Sequence, residues 1–117
     1  MIKKILGLCL IVGGLSSCGS SSPQMYTWYN YNDAAYSYMK NQTENSEVNL
    51  LAAYNKTIDK QKGTRGVVPP GIYAEKGYLL IKSGKTEEGV AYLKKEVELY
   101  PESEKFVGKI IKQYEEE

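Results

Sequence analysis

The sequence predicts an all-α fold of about five helices. Beyond Asn30, apolar residues recur at three- and four-residue spacing in segment after segment. No stretch shows the alternation of a half-buried strand. Glycine, proline and hydroxyl residues punctuate the chain where helices would start and stop, as at Ser46, Gly63, Pro70, Gly84, Thr86, Pro101 and Ser103. At 117 residues the chain holds one domain at most.

The first 17 residues follow a different pattern. Lys3 and Lys4 form a positive start, and Ile5 to Leu15 is an apolar stretch broken only by glycines. Those eleven residues fall short of the about 20 that a helix needs to cross hydrocarbon. A basic start, a short apolar core and small residues before a cut site mark a secretory signal. Leu15-Ser16-Ser17-Cys18 resembles the lipobox of bacterial lipoproteins. The resemblance implies a diacylglycerol on the Cys18 thiol, cleavage before that residue, and acylation of the new amine. The membrane is then a partner through lipid, and two or more acyl chains anchor stably where one is marginal. The expected organisation is a signal peptide over 1–17, a lipidated cysteine and tether over 18–24, and a helical domain over 25–117. Gly19 to Gln24 reach at most about 20 Å when extended.

Composition narrows the function classes. Cys9 falls in the discarded segment and Cys18 would carry lipid, so the mature chain has no thiol for a disulfide, a metal or a nucleophile. Histidine is absent, which removes the commonest general base and metal ligand. Without Lys3 and Lys4, 13 basic side chains stand against 14 acidic ones. A near-neutral domain argues against nucleic acid as a partner. No cofactor, metal ion, small-molecule substrate or catalytic residue is expected.

The elements follow in order. Asn32-Asp33 can cap a first helix from about Ala34 to Lys40 or Gln42, and Asn41 to Asn45 reads as a loop. Ser46 is the expected cap of a second helix, with Leu50 or Leu51, Tyr54 and Ile58 at helical spacing and Gly63 as its terminator. Pro70 suits the first turn of a third helix, where Tyr73, Gly77 and Leu80 share a face and Gly84 stops the run. Thr86 caps a fourth, with Val90, Leu93 and Val97 on one side and Pro101 at its end. The short gap from Ser83 to Lys85 forces these two helices into a hairpin. Ser103 caps a fifth, with Phe106, Val107, Ile110, Ile111 and Tyr114 as its apolar stripe.

A repeat frame lies in the second half. With Pro70 as its first residue, Tyr73 takes a large position, Gly77 and Gly89 the small ones where two helices touch, Leu93 a large one, and Pro101 the terminal proline. The unit resembles a tetratricopeptide repeat, although Glu96 stands where alanine is usual. Val107, Ile111 and Tyr114 fall on the first-helix positions of a next unit that lacks its second helix, as a terminal cap would. The two helices before Gly63 would be a degenerate repeat packed on this hairpin.

Pro69-Pro70-Gly71-Ile72-Tyr73-Ala74-Glu75-Lys76-Gly77-Tyr78-Leu79 resembles the PPGxYAExGY signature of a bacterial lipoprotein family catalogued as domain of unknown function 4810. Glu96 followed by Tyr100-Pro101-Glu102-Ser103 is similar to its second signature, and Tyr26-x-Trp28 to its N-terminal YxW stretch. Lys76 stands where the family often has an apolar or small residue, and Asn30 where glycine often follows. The resemblance implies an outer-membrane lipoprotein, encoded beside a lipoprotein resembling the curli-production secretion component. With Gly19 rather than aspartate after Cys18, a lipid-anchored envelope location at the outer membrane, facing the periplasm, is expected.

Two groups are candidates for partner binding. Tyr26, Trp28, Tyr29 and Tyr31 belong to an aromatic stretch reaching Tyr38. It either packs on the hairpin or docks a protein or glycan, since tyrosine and tryptophan dominate binding hot spots. Glu75 and Glu96 are either a partner-facing or mutually bonded pair, or ligands of the Pro69-Pro70 loop and of tyrosine hydroxyls, because a buried acid needs such partners. The expected function is a noncatalytic protein-interaction or assembly accessory of the envelope. The alternative is binding of peptidoglycan or another glycan through the aromatic stretch.

Overall fold

The computed structural model describes residues 23–116; the signal segment and Cys18 lie outside them. Five α-helices follow in order: α1 Tyr31–Asn41, α2 Glu44–Asp59, α3 Ile72–Lys82, α4 Thr86–Leu99 and α5 Glu104–Glu115, with a 3₁₀ turn over Pro101–Ser103 before α5. No strand occurs among the described residues. No helix there is long and apolar enough to cross a membrane.

Each helix packs on its neighbours in sequence: α1 on α2, α2 on α3, α3 on α4 and α4 on α5. This nearest-neighbour stacking is the quasi-one-dimensional logic of helical repeats. Two apolar clusters result. Ala34, Leu50, Ala53, Tyr54, Val68, Ile72 and Leu79 close the first half. Ile81, Val90, Leu93 and Val107 close the second.

The α3–α4 hairpin is packed most extensively, and its glycines meet as the repeat frame predicts. A Cβ on Gly77 would lie 2.6 Å from the Gly89 carbonyl oxygen, and one on Gly89 would lie 2.6 Å from Ile81 Cγ1. The hairpin turn is a helix stop of the expected kind. Gly84 sits at φ 90°, its N–H donates to Ile81 O at 3.0 Å, and the Lys85 N–H donates to Leu80 O at 2.9 Å.

Several helix ends differ from the sequence expectations. Thr43, not Ser46, caps α2. Ser46 is its third helical residue and completes a reciprocal box, with Ser46 N donating to Thr43 Oγ1 at 3.1 Å and Thr43 N to Ser46 Oγ at 2.9 Å. The expected loop Asn41 to Asn45 shrinks to Gln42 and Thr43. The first helix begins at Tyr31, ahead of Asn32-Asp33, because the Trp28 and Asn30 carbonyls already accept from Tyr31 and Ala34. Asp33 acts as an acid in the first turn, where the helix dipole favours it. α2 ends at Asp59, before Gly63. Gly63 instead lies against the backbone of Met25 and Tyr26, where no Cβ fits. α3 starts at Ile72, two residues after Pro70, with Gly71 at φ 95° in the capping position. Thr86 is the first residue of α4 rather than its cap. Ser103 holds the α5 capping position, but its hydroxyl donates to Tyr100 O at 2.6 Å instead of capping an amide.

Lys76 is 8% exposed. Its ammonium donates to Asn55 Oδ1 at 2.5 Å and to the Tyr92 hydroxyl at 2.8 Å, joining α2, α3 and α4. It also lies 4.0 Å from the Tyr92 ring centroid. A long cationic side chain is thus accommodated where its sequence position suggested something smaller.

Replacing Gly89 with alanine should destabilise the domain by about 2 kcal/mol, because overpacking at the α3 backbone outweighs the gain in helix propensity. A fall in the urea midpoint at unchanged slope is the expected result.

Candidate functional site

The Val68–Gly71 loop that opens α3 is held from α4. Glu96, 3% exposed, accepts from the Gly71 N–H through Oε1 at 2.7 Å. Gly71 has no side chain to cap α3, so a carboxylate from the neighbouring helix serves its N-terminus. The Tyr100 hydroxyl donates to Val68 O at 2.6 Å. Burial, followed by a hydrogen bond with Tyr26, pushes the Tyr100 hydroxyl up to about 12. Burial also raises the Glu96 carboxyl above its ordinary 4.5, while the amides of Gly71 and Ala74 oppose the shift and the charges of Glu75 and Glu102 add to it. Glu96 Oε2 has no hydrogen-bond partner.

Two clefts flank the exposed side of α3. One, of about 230 Å³, lies against α1 and includes Tyr31, Tyr38, Met39, Tyr78 and Lys82. The other, of about 350 Å³, lies against α5 and includes Ala74, Leu93, Glu96, Phe106 and Ile110. Glu75 and Tyr78 line both, so the two clefts adjoin on either side of these residues on one face of α3. Met39, Tyr78 and Phe106 stand on it 76%, 47% and 72% exposed. Glu75 accepts from the Tyr31 hydroxyl through Oε2 at 2.6 Å. Burial first, then this bond and the Glu75 charge, raise the Tyr31 hydroxyl above the ordinary tyrosine range.

The family model described as Domain of unknown function (DUF4810) matches residues 25–110. The chain belongs to this family. No curated protein and no solved structure matches it. The two stretches that resemble the signatures of DUF4810 prove to be physical partners here. Glu96 bonds Gly71 of the Pro69-Pro70-Gly71 turn and Tyr100 bonds Val68 just before it, these two being the first members of the second stretch.

The structure brings the candidate residues together only in part. Glu75 and Glu96 share the α3–α5 cleft, yet they bond Tyr31 and Gly71 and not each other. The loop-and-tyrosine role therefore describes the bonds they make. Tyr26, Trp28 and Tyr31 form a chain of rings ending on Tyr54, with centroid spacings of 6.2, 5.5 and 5.9 Å. Trp28 and Tyr31 pack on the first core cluster. Tyr29 bonds the Lys60 carbonyl and carries Lys56 4.7 Å above its ring centroid. Trp28 and Tyr31 thus contribute to packing, and Tyr31 alone of the four also lines the face. Tyr78, Met39 and Phe106 were not singled out in the sequence. Nothing in a helical apolar period distinguishes a residue that meets the core from one at the edge of its stripe.

Gln61 is the other residue that sequence reasoning missed in this DUF4810 domain. Its amide donates to Thr27 O at 3.0 Å and Thr57 O at 3.1 Å, and accepts from Thr27 N at 2.6 Å and Gly63 N at 3.1 Å. All the hydrogen-bonding groups of the amide are thereby engaged. Beside it, Thr64 N and Arg65 N donate to Gln24 O and Met25 O. The N-terminal segment is thus fixed to the α2–α3 loop from Gln24 onward.

Gln61→Ala should cost about 2 kcal/mol, since several partly buried hydrogen-bonding groups lose their partner together. Faster proteolytic cleavage between Gln24 and Asn30, with α3–α5 still protected, is the accompanying outcome.

Glu96 also sets a pH dependence. With its carboxyl raised above 4.5, the folded chain binds the proton more tightly than the unfolded chain. The stability linked to this group is complete below 4.5 and is lost as pH rises through the raised value. Denaturation of wild type and Glu96→Gln from the acid side of 4.5 to neutrality should show the wild type losing stability relative to the variant. Parallel curves would exclude the assignment.

Proposed function

We propose that this DUF4810 protein is a noncatalytic, lipid-anchored envelope lipoprotein that docks a protein partner as an assembly accessory. The observation that carries the interaction reading is the α1–α3–α5 face, where Met39, Tyr78 and Phe106 stay exposed beside two adjoining clefts. Contiguous exposed apolar surface of this kind marks interaction sites. The acids that might otherwise serve catalysis are engaged, Glu96 at the α3 N-terminus and Glu75 with Tyr31. The lipobox-like Leu15 to Cys18 supports the anchor. Fixation of the chain from Gln24 onward holds the domain within about 20 Å of an acylated Cys18. The lipoprotein resembling the curli-production secretion component, expected from the family resemblance, is the first partner to test.

A photo-crosslinking residue placed at position 78 in the native envelope should capture a discrete protein, whereas one at position 48, on exposed Val48 of α2, should not. Capture from position 48 alone would overturn the docking face. In the same cells Cys18→Ser should remove the acyl mass and release the chain from membranes. Persistence of both would overturn the anchor.

A further inference from the structure

The face has a charge character that its apolar side chains do not explain. Glu75 stands at the middle of it, common to both clefts. Glu96 lines the α3–α5 cleft behind, and its buried Oε2 is unpartnered. A buried acceptor without a donor carries a desolvation cost of about 1–3 kcal/mol, more when charged. Among the described residues the one ion pair is Lys94–Glu115, and neither residue lines these clefts. Among the described residues, no lysine or arginine lines the α3–α5 cleft. Glu102 adds a third negative charge near Glu96. The α3–α5 cleft is therefore acidic, apolar at its rim and without a cation among its described lining residues.

The α1 side shows how such a surface receives a cation. The Lys82 ammonium lies 5.9 Å from the Tyr38 ring centroid and 5.8 Å from that of Tyr78. The same Tyr78 ring lines the α5 side, where no cation lines the cleft among the described residues.

We propose that the α1–α3–α5 face takes a partner polypeptide segment presenting one arginine or lysine among apolar residues, its cation lying between Glu75 and Glu96 and its apolar side chains on Tyr78, Phe106 and Ile110. This rests on the interaction reading above and names the chemistry of the partner. A guanidinium suits the site well. Its planar fork can serve the Glu75 carboxylate and the Glu96 floor together and stack on the Tyr78 ring. A purely apolar segment would cover the acids and leave the unpartnered oxygen buried without a donor. An acidic segment would face three like charges.

The probe is an acetylated, amidated peptide of leucines around a single arginine, compared with its uncharged citrulline isostere. The mature lipoprotein is held in nanodiscs of zwitterionic lipid, with empty nanodiscs as the blank. Calorimetry should give binding at least about tenfold tighter for the arginine peptide, the scale of one charge-assisted hydrogen bond. Glu75→Gln and Glu96→Gln should each cut that advantage to about threefold or less, and Phe106→Ala should weaken both peptides. Because Glu75 is on the surface, its variant keeps the test valid if Glu96→Gln unfolds. Equal affinity for the two peptides, or no binding of either, would overturn the proposal. Specific crosslinking from position 78 would still stand in that case, so the failure of this inference is separable from failure of the docking face.

Discussion

The hydrogen bond from the Gly71 amide to the Glu96 carboxylate is the constraint on which the hairpin and its face depend. Gly71 adopts φ 95°, a conformation costly to residues with a Cβ. A glycine there cannot cap α3 with its own side chain, so the donor groups at the helix start must be served from another element. α4 runs back antiparallel and delivers Glu96. The register is set by the glycine contact. Six residues separate Gly71 from Gly77, and seven separate Gly89 from Glu96. These distances are about 9 and 10.5 Å of helix rise, so once the two glycines touch, the carboxylate comes level with the start of α3. Tyr100, four residues on, reaches the same loop at Val68 O. The close approach, the cap and the loop anchor are one arrangement.

That dependence explains which parts of the fold were legible in the sequence. Elements whose identity rests on local chemistry could be read: the Gly84 stop, Pro101 after α4, the small residues Gly77 and Gly89, and the apolar stripe of α5. Helix starts were less so. Ser46 looks like a cap in isolation, and it becomes the third residue of a box only because Thr43 precedes it at the right spacing. Gly63 looks like a terminator, but its lack of a side chain serves Met25, 38 residues away in sequence. Thr86 lost the capping position to Lys85 because the Gly84 turn fixes where α4 can begin. Local signals give the residue type a turn needs, and tertiary partners decide which candidate is used.

The candidate site divides along the same line. The stretches around Pro69 and Tyr100 could be singled out as sequence, but their mutual contact needed the structure. The aromatic stretch looked equally suited to docking and to packing. A tilted ring contact between Tyr31 and Tyr54 and the Gln61 amide engage part of it in packing. The exposed apolar residues sit elsewhere, Met39 on α1, Tyr78 on α3 and Phe106 on α5. Lys76 shows that an odd residue is an unsafe pointer to function. Its ammonium is absorbed by Asn55 and Tyr92, and a buried cation with good donor geometry asks nothing of a partner.

Glu96 differs from Lys76 in that respect. One of its oxygens accepts from Gly71, the Ala74 amide also favours the carboxylate, and Oε2 makes no hydrogen bond. A glutamine could also accept from Gly71, through a single oxygen and without the cost of burying a charge. Capping alone therefore does not require a carboxylate at this position. Local inconsistencies in an otherwise consistent fold concentrate where a molecule meets something else. Glu96 lines the α3–α5 cleft together with Glu75, Tyr78 and Phe106. The site that fastens the hairpin is for this reason also the strongest candidate for the surface that reads a partner. A partner that neutralised Glu96 would stabilise the α3 start as it bound, coupling recognition to the stability of the hairpin.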